Sequence, residues 1–198
     1  MKIKKFTPKG LTLIELLIVI SLTALILLTL LSLYTTSQKY FVTESARADV
    51  IRDSRQVLLW ISRDIKGACQ VITSWDIYTS SNDCLILRVP SVDASGLIID
   101  IESQFDYIIY RLNPSFPNRL ERIIDANDGV SAKVDGGRVL VTRVNSFLLS
   151  SEGVEFSSIA DFTTVSSVDI SLTASQDRYG RTFQDTLNTV VKLRNKSV

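Results

Sequence analysis

The chain has 198 residues, of which 45% are hydrophobic and 22% charged, with a formal net charge of +1 and no histidine. That balance lacks the basic footprint needed to hold phosphate backbones, so nucleic acid is not expected as a partner. Without histidine, Ser-His, Cys-His and His-metal chemistries are excluded, and two cysteines are too few for a thiolate zinc site.

Residues 1–10 carry Lys2, Lys4, Lys5 and Lys9 and no acid, the pattern of a segment kept on the cytoplasmic side of a membrane. No charge follows from Leu16 to Leu33. With Leu11 to Ile14 added, a rise of ~1.5 Å per residue spans ~30 Å of hydrocarbon. Residues 11–34 are therefore read as one transmembrane helix. A secretory signal peptide is the alternative. Against it, the apolar run exceeds the usual length, no small-x-small cleavage site follows, and an amphipathic pattern continues past Tyr34 without turn residues.

Glu15 interrupts this apolar run. A carboxylate inside an apolar helix costs about 3 kcal/mol on insertion scales unless it is paired. If the chain is cut after Gly10, the new α-amine at Leu11 lies about one helical turn from Glu15, and equally near the Glu15 of a neighbouring helix shifted along the axis. Pairing between subunits makes the ion pair a register pin. The competing reading is a carboxylate that snorkels to the nearby interface.

From Tyr34 to Lys66 there is neither Pro nor Gly, and Val42, Ala46, Val50, Val57, Leu58, Ile61, Ile65 and Ala68 recur at three- and four-residue steps. The helix is expected to leave the membrane as an amphipathic extension over 35–68, with Asp49, Arg52, Asp53, Arg55, Arg63, Asp64 and Lys66 mostly off the apolar stripe and Gly67 as its stop. Straight, the element from Leu11 to Gly67 measures roughly 85 Å. Phe41 and Trp60 lie near the stripe and are read as packing residues.

Beyond Gly67 the period changes to that of strands. Short ones are expected at 84–89, 97–101, 107–112, 120–124, 139–142, 168–173 and 186–193, punctuated by Asn113-Pro114, Phe116-Pro117, Asn127-Asp128-Gly129, Asp135-Gly136-Gly137 and Tyr179-Gly180. One helix followed by many strands is an α+β plan in which the helix covers a face of an antiparallel sheet, with 69–198 as the β-rich domain.

Cys69 and Cys84 enclose 14 residues, and two readings stand side by side, one disulfide or two buried thiols. Asp125, Asn127 and Asp128 gather oxygens before Gly129 and offer a weak calcium candidate; the spacing fails the EF-hand pattern, and an Asn-Asp-Gly turn is the favoured reading. Asp76, Asp83, Glu102 and Asp106 show no spacing that suggests paired-carboxylate catalysis, and no catalytic residue or resident cofactor is assigned.

Lys9-Gly10-Leu11-Thr12-Leu13-Ile14-Glu15-Leu16-Leu17-Ile18-Val19-Ile20 resembles the class III signal of type IV pilins and type II secretion pseudopilins. Leu stands at the first mature position, where Phe is usual. More loosely, Arg63-Asp-Ile-Lys-Gly-Ala68, the Tyr107–Leu112 strand before Leu120-Glu121-Arg122, and Val191-Lys-Leu-Arg-Asn195 resemble minor pseudopilins of the J type and minor pilins of the W type. The resemblance implies a type IV pilin-like fold. It also implies that a prepilin peptidase cuts between Gly10 and Leu11 and methylates the Leu11 amine, and that Glu15 docks subunits in the membrane. Loss of residues 1–10 removes four lysines and leaves a formal charge near −3. The expected function is structural and not enzymatic: a minor pseudopilin at the tip of a periplasmic pseudopilus in type II secretion. Its expected partners are the peptidase, other pseudopilins or pilins, the inner-membrane assembly platform and, before assembly, membrane lipid. The expected location is the bacterial inner membrane, single pass, with the C-terminal domain periplasmic. A minor pilin of a type IV pilus or DNA-uptake pseudopilus is the near variant. A membrane-anchored binding domain that never polymerises is the alternative from another class.

Overall fold

A computed structural model describes residues 12–99, 104–127 and 129–194. The chain divides into two compact units, Met1–Ser45 and Ala46–Val198, and helix α1 (Leu13–Gly67) runs through the division.

In the first unit, α1 begins at a reciprocal cap. The Thr12 hydroxyl accepts from the Glu15 N–H at 3.3 Å, while one Glu15 carboxylate oxygen accepts from the Thr12 N–H at 2.8 Å and from the Thr12 hydroxyl at 2.9 Å. This capping box satisfies amides that a helix start leaves without partners. Large apolar side chains from Leu13 to Leu33 are all exposed, and α1 is long and apolar enough to cross a membrane. The hydroxyls within it fold back on the backbone, Ser21 to Leu17 O at 2.6 Å, Thr23 to Val19 O at 2.7 Å and Thr29 to Ile26 O at 2.8 Å. A hydroxyl that bonds its own helix presents little polarity to hydrocarbon. Phe41, expected to pack, is instead 73% exposed.

In the second unit the expected stripe is buried: Ala46, Val50, Val57, Leu58, Ile61, Ile65 and Ala68, joined by Ser54. After the helix come β1 (Gln70–Val71), the hairpin β2 (Ser74–Trp75) and β3 (Tyr78–Thr79), β4 (Cys84–Pro90), β5 (Phe105–Leu112), β6 (Leu120–Asp125) and β7 (Gly136–Val141). Then follow β8 (Val144–Ser151), β9 (Val154–Glu155), two 3-10 turns at Phe156–Ser158 and Phe162–Thr164, β10 (Ser167–Arg178) and β11 (Arg181–Lys192). A five-stranded sheet has the order β1-β4-β5-β6-β7 and a four-stranded sheet the order β11-β10-β8-β9, every pairing antiparallel. The expected strand at 97–101 is reduced, over its described residues, to a single bridge between Ile98 and Val92.

Period-two alternation decides where each strand residue goes. On β4 and β5, Leu85, Leu87, Ile108 and Tyr110 join Val57, Leu58, Ile61 and Ile65 of α1 in the main core, which also takes Phe147 and Leu149 of β8 and Ile170 and Leu172 of β10. Cys84, Ile86 and Ile109 point to the opposite face, where the β2–β3 hairpin covers them with Trp75 and Tyr78. Tight turns close the long β10–β11 hairpin and the short β8–β9 hairpin: Tyr179 and Gly180 have φ of 51° and 71°, and Glu152 and Gly153 have 51° and 82°. Two successive residues at positive φ match the right-handed twist of paired strands, and glycine takes the second without steric cost.

Candidate functional site

Among the described residues, charged or polar groups gather at several places. At the N-terminus of α1, Glu15 is the acid that the sequence singled out; Gly10 and Leu11 lie outside the described residues. The carboxylate is held by Thr12, three residues earlier in its own chain, so the cap supplies hydrogen-bond donors but no compensating cation.

The second place joins α1 to the five-stranded sheet. Arg122 Nε on β6 donates to Asp64 Oδ2 on α1 at 2.7 Å, and the Tyr110 hydroxyl on β5 donates to the same oxygen at 2.5 Å. The side chains of Asp64 and Arg122 are only 11% and 16% exposed, and the Tyr110 residue is wholly buried. Burial, followed by the Asp64 charge, pushes the Tyr110 phenol far above its ordinary range, so it stays a donor. Trp60 lies 5.8 Å beneath the Arg122 guanidinium. Asp64, expected off the apolar stripe, thus sits at its edge, beside Ile61 and Ile65, and fixes the helix to two strands.

The third place is Asp106 at the start of β5, wholly buried. It receives Lys133 Nζ at 2.7 Å, the hydroxyls of Ser91 and Ser131 at 2.8 Å each, and the Asn127 N–H at 3.0 Å. Burial alone would raise its carboxyl; these four donors outweigh burial and hold it below the ordinary carboxylate value. The cluster ties the loop after β4 to the loop between β6 and β7.

The calcium candidate divides between other duties. Asp125 Oδ2 accepts from Trp75 Nε1 at 2.6 Å, and Trp75 stacks on Tyr107 with centroids 3.5 Å apart. The Asn127 side chain donates to Gln104 at 2.6 Å, its carbonyl accepts from the Val130 and Ser131 N–H groups, and Asp128 lies outside the described residues. Where the sequence favours a hairpin turn, Asn127, Val130 and Ser131 belong to the longer loop that connects β6 to β7. Among the described residues no three His, Cys, Asp or Glu side chains gather as metal ligands.

The two cysteines are free and buried, which is the second of the two readings. Their separation has a physical cause: the Cys69 N–H bonds Arg88 O at 2.9 Å, four residues along β4 from Cys84. Four strand residues measure roughly 13 Å, well past the ~7 Å limit for a bridge. Burial raises both thiols, Cys84 to about 11 with Asp83 adding to the effect.

No protein-family model matches the chain, and searches of curated proteins and of solved structures return no match either.

Proposed function

We propose that this chain is a membrane-anchored filament subunit, a minor pseudopilin of a type II secretion pseudopilus. The observation that carries the reading is Glu15, the one charged residue in the exposed apolar stretch of α1 from Leu13 to Leu33, four residues after Leu11 in a segment resembling a class III signal. In this proposal a prepilin peptidase removes residues 1–10 and methylates Leu11. The assembly platform then moves the anchor from lipid into a bundle, where Glu15 exchanges Thr12 for the Leu11 amine of a neighbour. Hydrocarbon gives adjacent helices no hydrophobic drive, so the ion pair supplies register while van der Waals contact supplies cohesion. A minor pilin of a type IV pilus or DNA-uptake pseudopilus would use the same chemistry.

One observation favours a second reading. The Thr12–Glu15 box satisfies Glu15 within its own chain, as a single membrane-anchored binding domain that never polymerises would need.

Intact mass and N-terminal sequencing of the full chain, expressed with and without a prepilin peptidase, test the proposal. The expected result is peptidase-dependent loss of residues 1–10 with a methyl group on Leu11. An uncut chain refutes the filament reading. A cut chain whose Glu15→Val variant enters filaments as well as the parent refutes the docking role of Glu15.

A further inference from the structure

The tip of the β2–β3 hairpin and a groove on the other face of the same sheet are complementary. Asp76 and Ile77 form the tip. Ile77 is 78% exposed, and Asp76 holds φ at 50°, a left-handed conformation that a non-glycine residue adopts at a cost. The hairpin is anchored beneath the tip by the Trp75–Tyr107 stack and the Trp75–Asp125 hydrogen bond. Asp76 and Ile77 thus project together from the tip, an acid beside an exposed apolar side chain.

On the α1 side of the sheet a groove of about 460 Å³ is lined by Trp60, Val92, Ile98, Ile108 and Ile124, with Arg63 and Lys133 at its margin. Ile98 is 49% exposed. The charges lining the groove sum to an excess of cation. Lys133 is neutralised by Asp106 and Arg122 by Asp64, which leaves exposed Arg63 without an ion-pair partner among the described residues. The tip carries one acid, Asp76, next to its apolar residue. Because tip and groove lie on opposite faces, a chain does not fill its own groove, and a contact between copies is head-to-tail and leaves both ends open to further copies.

We propose that the Asp76–Ile77 tip of one copy enters the groove between α1 and the five-stranded sheet of a second copy, with Ile77 on Val92 and Ile98 and Asp76 facing Arg63. This extends the filament reading by supplying a contact outside the membrane, though it uses no residue of the signal or of the anchor.

The test is a benzophenone amino acid placed at position 77 of the full chain in membrane vesicles, with cross-linked peptides mapped by mass spectrometry. The expected product joins position 77 to the peptides holding Val92 or Ile98 of another copy. Ile98→Asp, or Asp76→Arg, is expected to cut the yield about tenfold, and Arg63→Asp to restore it in the Asp76→Arg background. The circular-dichroism melt of each variant separates lost docking from lost folding. Cross-links only to lipid, to another protein, or to a different face of the second copy overturn the proposal, as does failure of the charge swap in folded protein. The result is independent of processing: a mapped cross-link in a chain the peptidase never cuts sinks the filament reading alone, and a processed chain without the cross-link sinks the docking alone.

Discussion

Replacing Asp64 by Asn keeps the shape of the Asp64–Tyr110–Arg122 cluster and removes its only negative charge. Arg122, whose side chain is 16% exposed, is then left as a guanidinium without a counter-ion, and the Tyr110 hydroxyl keeps only a neutral acceptor. Breaking a buried pair from one side costs about 3–5 kcal/mol; the residual exposure of both partners places this case at the lower end, about 3 kcal/mol. For a domain of this size each kcal/mol lowers Tm by about 2–4 °C, so the expected fall is about 6–12 °C. The assay is thermal unfolding of the full chain in detergent, followed by circular dichroism in the β-sheet region. Arg122→Met in the same background closes a double-mutant cycle and is expected to recover about half the loss, since the charge without a partner is then gone. A change in Tm under 2 °C for Asp64→Asn, or strictly additive singles, would refute the claim that this pair locks the helix to the sheet.

Three further outcomes are expected. Asp106 has its folded-state pKa depressed, so its contribution to stability is present above the unfolded carboxylate value near pH 4 and is lost as pH falls through the folded value. Unfolding midpoints measured between pH 7 and pH 3 should therefore show a shallower acid limb in Asp106→Asn than in the parent, and parallel curves would contradict the cluster's role. Cys69 and Cys84 should resist iodoacetamide at pH 8 in the folded protein and react with two equivalents once it is unfolded, without reductant; a thiol count of zero in denaturant would reinstate the disulfide. Trp75→Phe preserves the stack on Tyr107 and leaves the Asp125 carboxylate without its indole donor, which should cost about 1–2 kcal/mol by chemical denaturation, whereas no change would mean that the hairpin is held by packing alone.

Legibility from sequence followed periodicity. The stripe from Ala46 to Ala68 and the alternations in β4, β5, β6 and β10 were readable because local spacing alone assigns their faces. β8 was not, because its buried Val144 and Phe147 are three apart. A bulge accounts for this: Ala174 pairs with Val144 and Thr173 with Ser146, so Asn145 is the extra residue and the alternation slips there. The segment 73–83 is largely polar and short of periodicity, yet it carries the hairpin whose Trp75 and Tyr78 cover the second face, a role set by a sheet it has not yet met in sequence. The Asp64–Arg122 pair spans 58 positions, and the Lys133–Asp106 pair likewise joins the loop between β6 and β7 to the start of β5; no local pattern announces a partner at such distances. Glu15 was conspicuous because hydrocarbon makes a carboxylate costly. Its hydrogen bonds to Thr12 follow from a different rule, the pairing of a threonine cap with an acid three residues on.

The order of strands carries a kinetic consequence. β4 pairs with β5, β5 with β6 and β6 with β7, and the neighbours β2 and β3, β8 and β9, and β10 and β11 pair as well. The two exceptions, β1 with β4 and β8 with β10, skip only a small hairpin and a short strand with two 3-10 turns. Loop-closure entropy grows with the length of chain enclosed, so almost every ladder here closes over a short loop. Such a domain can zip from its α1 end as successive strands become available, and no strand waits for a remote segment to be released. A chain whose strands emerge one after another therefore exposes few unpaired edges at any moment of its folding.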